Sequence, residues 1–86
     1  MTNDPVVLAK IAYDLQDASE ELSAIIELIR PDKEIDEAEF NVRFAHLYWH
    51  LNSAWNVRNL IGTDLDSAND EQLNVWGDFP KDLKPL

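Results

Sequence analysis

The stretch Asp4–Arg30, DPVVLAKIAYDLQDASEELSAIIELIR, predicts a long amphipathic helix and so decides the class of the fold. Asp4 followed by Pro5 is typical of a helix start, because aspartate caps free N–H groups and proline needs no hydrogen-bonded N–H in the first turn. Pro31 indicates the other end, because proline disfavours helical geometry in the residue before it. We therefore expect helix 1 to cover about residues 5–30.

Apolar residues recur along this helix at alternating spacings of three and four, a period of about 3.5 residues. This period is typical of a helical bundle or coiled-coil face rather than of a helix lying on a sheet. The seam consists of Leu8, Ile11, Leu15, Ala18, Leu22, Ile25 and Ile29. We expect it to be covered, and we expect replacement of core leucines by alanine to cost about 2–5 kcal/mol. The leucines chosen as core positions are Leu15, Leu22 and Leu51.

A second long helix is predicted over about residues 37–61. Asp36, with Glu39 three residues on, is typical of a capped helix start. Gly62 is expected to close the helix in the left-handed conformation. Because a link of about six residues joins two long helices, we expect an antiparallel hairpin.

The last part of the chain predicts less regular structure. Ser67 with Asp70 resembles a capping pair for a short third helix over about residues 68–76, which Gly77 would end. Residues 77–86 contain two prolines and are expected to be irregular. The expected fold is thus all-α, a single helical domain over residues 1–86.

Helix 2 carries apolar residues on two sides, and such a helix is usually packed on two sides. We expect the broader face to meet helix 1; it holds Phe40, Phe44, Leu47, Tyr48, Leu51, Ala54 and Trp55. The narrower stripe holds Val42, Trp49, Val57 and Leu60. Two hairpins pairing as a homodimeric four-helix bundle would cover both sides. The alternative is a monomeric three-helix bundle closed by helix 3 and the tail.

Composition limits the classes of partner. With 86 residues the chain makes one domain, and without cysteine it has neither disulfides nor thiolate metal sites. The net charge of −10 argues against nucleic acid and anionic membrane as partners. Because MTNDPVVLAK has no basic leader followed by an apolar run, we expect a cytoplasmic protein.

The segment HLYWHLNSAWNVRN, His46–Asn59, lies in the stretch from residue 40 to 63, which has no carboxylate. His46 and His50 are four residues apart, a spacing that helical zinc sites use. Two ligands do not hold a metal firmly, and a third would have to come from another helix or another subunit; candidates on helix 1 are Asp14, Asp17 and Glu21. We favour histidines that flank a helix interface and bind carboxylates, so no metal or other cofactor is expected.

Four asparagines on one flank of helix 2 require a reason, because asparagine is a poor residue for a helix interior. They are Asn41, Asn52, Asn56 and Asn59. They could fix helix register by hydrogen bonds, or form a recognition strip beside tryptophan and arginine. The predicted interaction surface is His46, His50, Asn52, Trp55, Asn56 and Arg58.

These features favour a small acidic assembly or protein-interaction module that forms a homodimer and can bind a further protein partner. One alternative is an acidic decoy or immunity-type inhibitor of a basic protein. The other is a metal-binding bundle or enzyme that uses His46 and His50. Catalysis has less support, because the chain has two glycines, no glycine-rich phosphate loop and no catalytic triad that spacing can locate.

Overall fold

The computed structural model describes residues 1–32 and 34–86, which form helices and no strands. The helices are α1 Pro5–Leu28, α2 Glu37–Asn56, α3 Gly62–Asp66 and α4 Asp70–Trp76. The predicted all-α class, with two long helices packed against each other, is confirmed. Lys33, in the predicted link between the long helices, lies outside the described residues.

The helix α1 begins as its sequence predicts, because Asp4 Oδ1 accepts the Val6 N–H at 2.9 Å. It ends at Leu28, two residues earlier than expected. Pro31 has no N–H to bond the carbonyl of Glu27, so the last helical turn lacks one of its hydrogen bonds.

The helix α2 begins after Asp36, whose Oδ1 accepts the N–H groups of Ala38 at 3.0 Å and Glu39 at 3.3 Å. It runs antiparallel to α1, since the contacts between the helices reverse order. Lys10 meets Ser53 near one end, and Glu21 meets Arg43 near the other.

The end of α2 differs from the prediction. It stops at Asn56, five residues before the expected end, and α3 begins at Gly62. Arg58 Nη1 donates to the Trp55 carbonyl at 2.9 Å, and the Thr2 N–H donates to the Arg58 carbonyl at 2.7 Å. The backbone also turns more tightly here, because the N–H groups of Arg58 and Leu60 bond the carbonyls of Trp55 and Val57, three residues back rather than four. Gly62 has no left-handed conformation, so its predicted role as a cap is wrong.

The helix α4 begins two residues later than predicted and uses a different cap. Asn69 accepts the Gln72 N–H at 2.9 Å, and Gln72 Oε1 accepts the Asn69 N–H at 3.2 Å. This reciprocal pair replaces the expected pair of Ser67 and Asp70. Residues 77–86 contain no helix, as expected.

The core between the long helices is small. Ala18, Ile25 and Leu47 form its buried cluster, with Phe40 and Phe44 packed against it. The remaining buried apolar residues among those described are Val7, Ala54 and Val57. The leucines expected in the core, Leu15, Leu22 and Leu51, are instead exposed. One side of the predicted seam meets α2, and the other side does not.

The narrower stripe of α2 is covered in part by the chain itself. Val57 is fully buried, and Trp49 is half-buried beside Gly77, whereas Val42 is exposed. No helix in the described part of the chain has the length and the apolar run that crossing a bilayer requires.

Candidate functional site

The helix pair has two edges of different chemistry, one on each side of its apolar core. At about 100° per residue, Asp14 and Glu21 lie on one side of Ala18, and Leu15 and Leu22 lie on the other. We call the first side the polar edge; it consists of Lys10, Asp14, Asp17, Glu21, Glu39, Arg43, His46, His50 and Ser53. We call the second the apolar face; it consists of Leu8, Leu15, Leu22, Ile26, Ile29, Phe40, Phe44, Tyr48, Leu51 and Trp55.

The two histidines lie together at the centre of the polar edge. His50 is buried, and its Nδ1 lies 3.0 Å from Oδ1 of buried Asp14. His46 Nδ1 lies 3.2 Å from Glu21 Oε2. The remaining nitrogens, Nε2 of His46 and Nε2 of His50, face each other at 3.2 Å. The expectation that the histidines flank the helix interface and contact carboxylates is confirmed.

Basic residues hold these carboxylates in place. Lys10 Nζ donates to Asp14 Oδ2 at 2.8 Å and to Ser53 Oγ at 3.1 Å. Arg43 binds Glu39 and Glu21, each at 3.2 Å. The Glu39 carboxylate, and after it Glu21, holds the pKa of the Arg43 guanidinium above its ordinary value. Both histidine partners are thus fixed by a further charged group, which orients the imidazole rings.

No three His, Asp or Glu side chains in residues 1–32 and 34–86 are gathered into a complete set of metal ligands. Of the carboxylates of α1, Asp17 reaches nearest to the facing nitrogens, with Oδ2 3.8 Å from His50 Nε2. Asp14 and Glu21 bind the other sides of the rings, at Nδ1. A cation that met both Nε2 atoms would therefore find its third protein ligand in Asp17.

Asn52 and Asn56 attach the end of α4 to α2. Buried Asn52 donates from Nδ2 to the Gly77 carbonyl at 2.9 Å. Asn56 donates to the carbonyls of Trp76 at 2.7 Å and Asp78 at 2.9 Å. These bonds favour the structural role for both side chains. The predicted recognition strip is therefore partly occupied by the chain's own backbone.

The C-terminal tail is fixed by Asp82. Its carboxylate accepts the Trp55 indole N–H at 2.9 Å and Arg58 Nη2 at 2.9 Å. The Trp55 N–H, followed by Arg58, lowers the pKa of Asp82 below its ordinary value. The Arg58 guanidinium also lies over the Trp55 ring, 3.8 Å from its centroid. The two predicted surface residues thus form one bonded unit with the tail.

The structure does not bring the six predicted interaction residues into one free surface. Five of them bind groups within the chain, and His46 also does so while keeping an exposed side chain. Their action on a partner stays a prediction. Trp55 also belongs to the apolar face.

The apolar face continues into a groove of about 700 Å³ between α2 and the tail. Tyr48, Leu51 and Trp55 form one wall, and Phe79 and Leu83 belong to the other. The rings of Tyr48 and Phe79 are in contact, with centroids 5.2 Å apart. The tail therefore extends the apolar surface of the helix pair at the end of α2.

No protein-family model, no curated protein and no solved structure matches the chain.

Sequence reasoning missed the role of Asp82 and the double role of Asp4, whose Oδ2 accepts the Gly62 N–H at 2.8 Å. No periodic pattern links either residue to its partner. It also missed the start of α3, although Asp64 stands three residues after Ile61 and accepts its N–H at 2.9 Å. That spacing alone is a weak signal, because an isoleucine cannot cap a helix with its side chain.

Proposed function

We propose that this protein is a cytoplasmic assembly module whose working form is a homodimer. In it, two helical hairpins pair through their apolar faces and close a four-helix bundle. The observation that carries the proposal is the apolar face itself, which stays exposed along α1 and meets the tail near the end of α2, at Tyr48, Leu51 and Trp55.

The spacing of the face fits pairing with another helix. Leu8, Leu15, Leu22 and Ile29 are each seven residues apart, the heptad repeat of coiled-coil and bundle seams. The pattern of α1 thus contains two neighbouring stripes. The first, through Ala18 and Ile25, is already covered by α2.

The solvent-accessible area of the chain is larger than that of a typical monomer, which supports a partner that covers part of it. The chain exposes 6438 Å², whereas a folded monomer of 9.9 kDa exposes about 5,200 Å² by the usual scaling. Its radius of gyration is 14.9 Å, compared with about 12 Å for a compact domain of this length. The excess surface is thus on the order of 1,200 Å².

The apolar face is large enough for a stable interface. Its most exposed aliphatic residues and Tyr48 are between 38% and 59% exposed; they are Leu8, Leu15, Leu22, Ile26, Ile29, Tyr48 and Leu51. At roughly 80 Å² for each of these residues, they contribute on the order of 560 Å², above the ~500 Å² per partner that a specific interface requires.

Charge favours a second copy as the occupant. A two-fold interface places the same patch against itself, so a patch with charges of one sign would repel its copy. From Leu8 to Ile29 and from Phe40 to Trp55, the positions on this side carry no charge, although the chain carries −10 overall. Two copies can therefore pair there without repulsion between opposed like charges, while their carboxylates stay on the other sides of the bundle.

Sedimentation equilibrium over a wide range of concentration tests the proposal. We expect the wild-type chain to reach twice its monomer mass. The double variant Leu15→Gln, Leu22→Gln should stay monomeric and keep its helical circular dichroism, because both positions lie outside the hairpin core. The matched control is Val42→Gln, which alters an exposed apolar residue half a turn around α2 from Leu51.

A wild-type chain that stays monomeric at every concentration overturns the dimer, as does a dimer that the double variant leaves intact. In the first case, salt-sensitive binding of a basic protein by the monomer would favour the acidic decoy. Equal loss of dimer in Val42→Gln would move the interface to the other side of α2.

A further inference from the structure

In the histidine pair on the polar edge, the carboxylate contacts indicate which ring nitrogens carry the protons. Carboxylate oxygens only accept hydrogen bonds, so Asp14 and Glu21 each require a proton on the Nδ1 that they contact. A neutral imidazole carries one ring proton, which leaves Nε2 with a lone pair. With both rings neutral, His46 and His50 therefore bring two lone pairs within 3.2 Å of each other. A cation between these nitrogens would convert this repulsion into attraction.

We propose that His46, His50 and Asp17 form a binding site for a divalent transition-metal ion, with Zn²⁺ as the fitting example. Two ligands of a tetrahedral zinc ion, each about 2.0–2.1 Å from the metal, lie about 3.3 Å apart. The Nε2 atoms are already 3.2 Å apart. The rings are tilted by 51° to each other, with centroids 4.7 Å apart.

Asp17 completes the set of protein ligands after a small movement. Its Oδ2 lies 3.8 Å from His50 Nε2, about 0.5 Å longer than the spacing of two ligands on one tetrahedral zinc ion. Its side chain is 42% exposed, so it is free to rotate towards the ion. Water fills the fourth position of such a site.

The groups behind the ligands match those of known metal centres. A histidine that binds metal usually donates its other ring N–H to a carboxylate, which fixes the tautomer and strengthens the ligand. Asp14 is the carboxylate at Nδ1 of His50, and Glu21 is the carboxylate at Nδ1 of His46. Lys10 and Arg43 in turn bind these carboxylates. The negative charge of the carboxylates therefore offsets the positive charge of Lys10 and Arg43 near the site.

Local charge also favours a cation. The polar edge contains four carboxylates, from Asp14, Asp17, Glu21 and Glu39, and two cationic side chains, from Lys10 and Arg43. With both imidazoles neutral, the net charge is −2 and equals the charge that a divalent ion neutralises. This site lies on the side opposite to the apolar face, so it does not depend on the dimer.

Isothermal titration of the full-length protein with ZnCl₂ tests the site. We expect one Zn²⁺ per chain, lost in His46→Ala, a variant chosen because the His46 side chain is 58% exposed and its removal leaves the core intact. Glu21→Gln should weaken binding about 10- to 100-fold by releasing the His46 tautomer. Glu20→Gln removes the neighbouring exposed carboxylate and should leave the affinity unchanged.

Long-range ¹H–¹⁵N spectra give a second readout that distinguishes metal from a shared proton. We expect both rings to carry their proton on Nδ1, and Zn²⁺ to shift the signals of both Nε2 atoms. The proposal is overturned if Zn²⁺ leaves these signals unchanged, or if the metal-free protein shows one imidazolium bonded to its neighbour and binds no Zn²⁺. Unchanged Zn²⁺ affinity in His46→Ala also overturns it.

Discussion

Gly77 lies where the indole of Trp49 leaves no space for a side chain. A Cβ at this position would overlap Nε1 and Cδ1 of Trp49, although the backbone, with φ at −77°, would accept any residue. The constraint is therefore one of packing. It follows from the bond between Asn52 and the Gly77 carbonyl, which draws the end of α4 close to α2.

We predict that Gly77→Ala destabilises the protein by about 1–3 kcal/mol, the usual cost of overpacking. Urea unfolding measures this loss. The control is the same change in a Trp49→Leu background, where the obstructing ring is absent and the alanine should cost much less. An equal cost in both backgrounds would show that Trp49 is not the cause.

Single residues also mark the limit of prediction at this scale. Asn52 and Asn56 could be identified as unusual, because asparagine in a helix interior requires a hydrogen-bonding reason. Their partners are backbone carbonyls 20–25 residues further along the chain. Backbone groups carry no sequence signal, so neither spacing nor composition could identify them.

At the scale of helices, Asp4 connects two elements that are far apart in sequence. One carboxylate oxygen caps α1 through Val6, and the other accepts the first N–H of α3 at Gly62. The Gly62 N–H, and then the Val6 N–H, lowers the pKa of Asp4 below its ordinary value of 3.8. The ionised form is thus favoured by folding.

This lowered pKa predicts a stability change in acid. A group whose pKa falls on folding stabilises the native state above its unfolded pKa, and this stabilisation is lost as the pH falls through the folded pKa. We expect the wild-type protein to be more stable than Asp4→Asn at neutral pH and to lose this difference in stability below about pH 3.8. Urea midpoints between neutral and acidic pH measure it. Asp66→Asn removes the same charge from an exposed position of α3. Its difference in stability from wild type should not change with pH in this way.

The helix boundaries show which local signals are reliable. Asp4 and Asp36 could be predicted as caps, because each satisfies N–H groups two or three residues away. The end of α2 could not be predicted, because a side chain and a distant backbone N–H bind the carbonyls there. Gly62 then had two consistent interpretations, the end of one helix or the start of the next.

At the scale of the whole molecule, the protein is elongated, with extents of 47 × 28 × 22 Å. The hairpin could be predicted because its helical periods and caps are local. The side of α1 that meets α2 could not be predicted, because the apolar seam of α1 is broad enough to contain two stripes. Pairing through the exposed stripe is the step that would give this thin molecule a core of ordinary thickness.

Stability should therefore depend on concentration in a way that separates the two stripes. Leu47 is buried in the hairpin core, so Leu47→Ala should cost about 2–5 kcal/mol at any concentration. Leu22 is 46% exposed in one chain, so Leu22→Ala should lower the Tm mainly at concentrations where the wild type is dimeric. Thermal unfolding of both variants and wild type, each at low and high concentration, measures the difference. A wild-type Tm that does not rise with concentration, together with equal losses in both variants, would assign Leu22 to the core of a monomer.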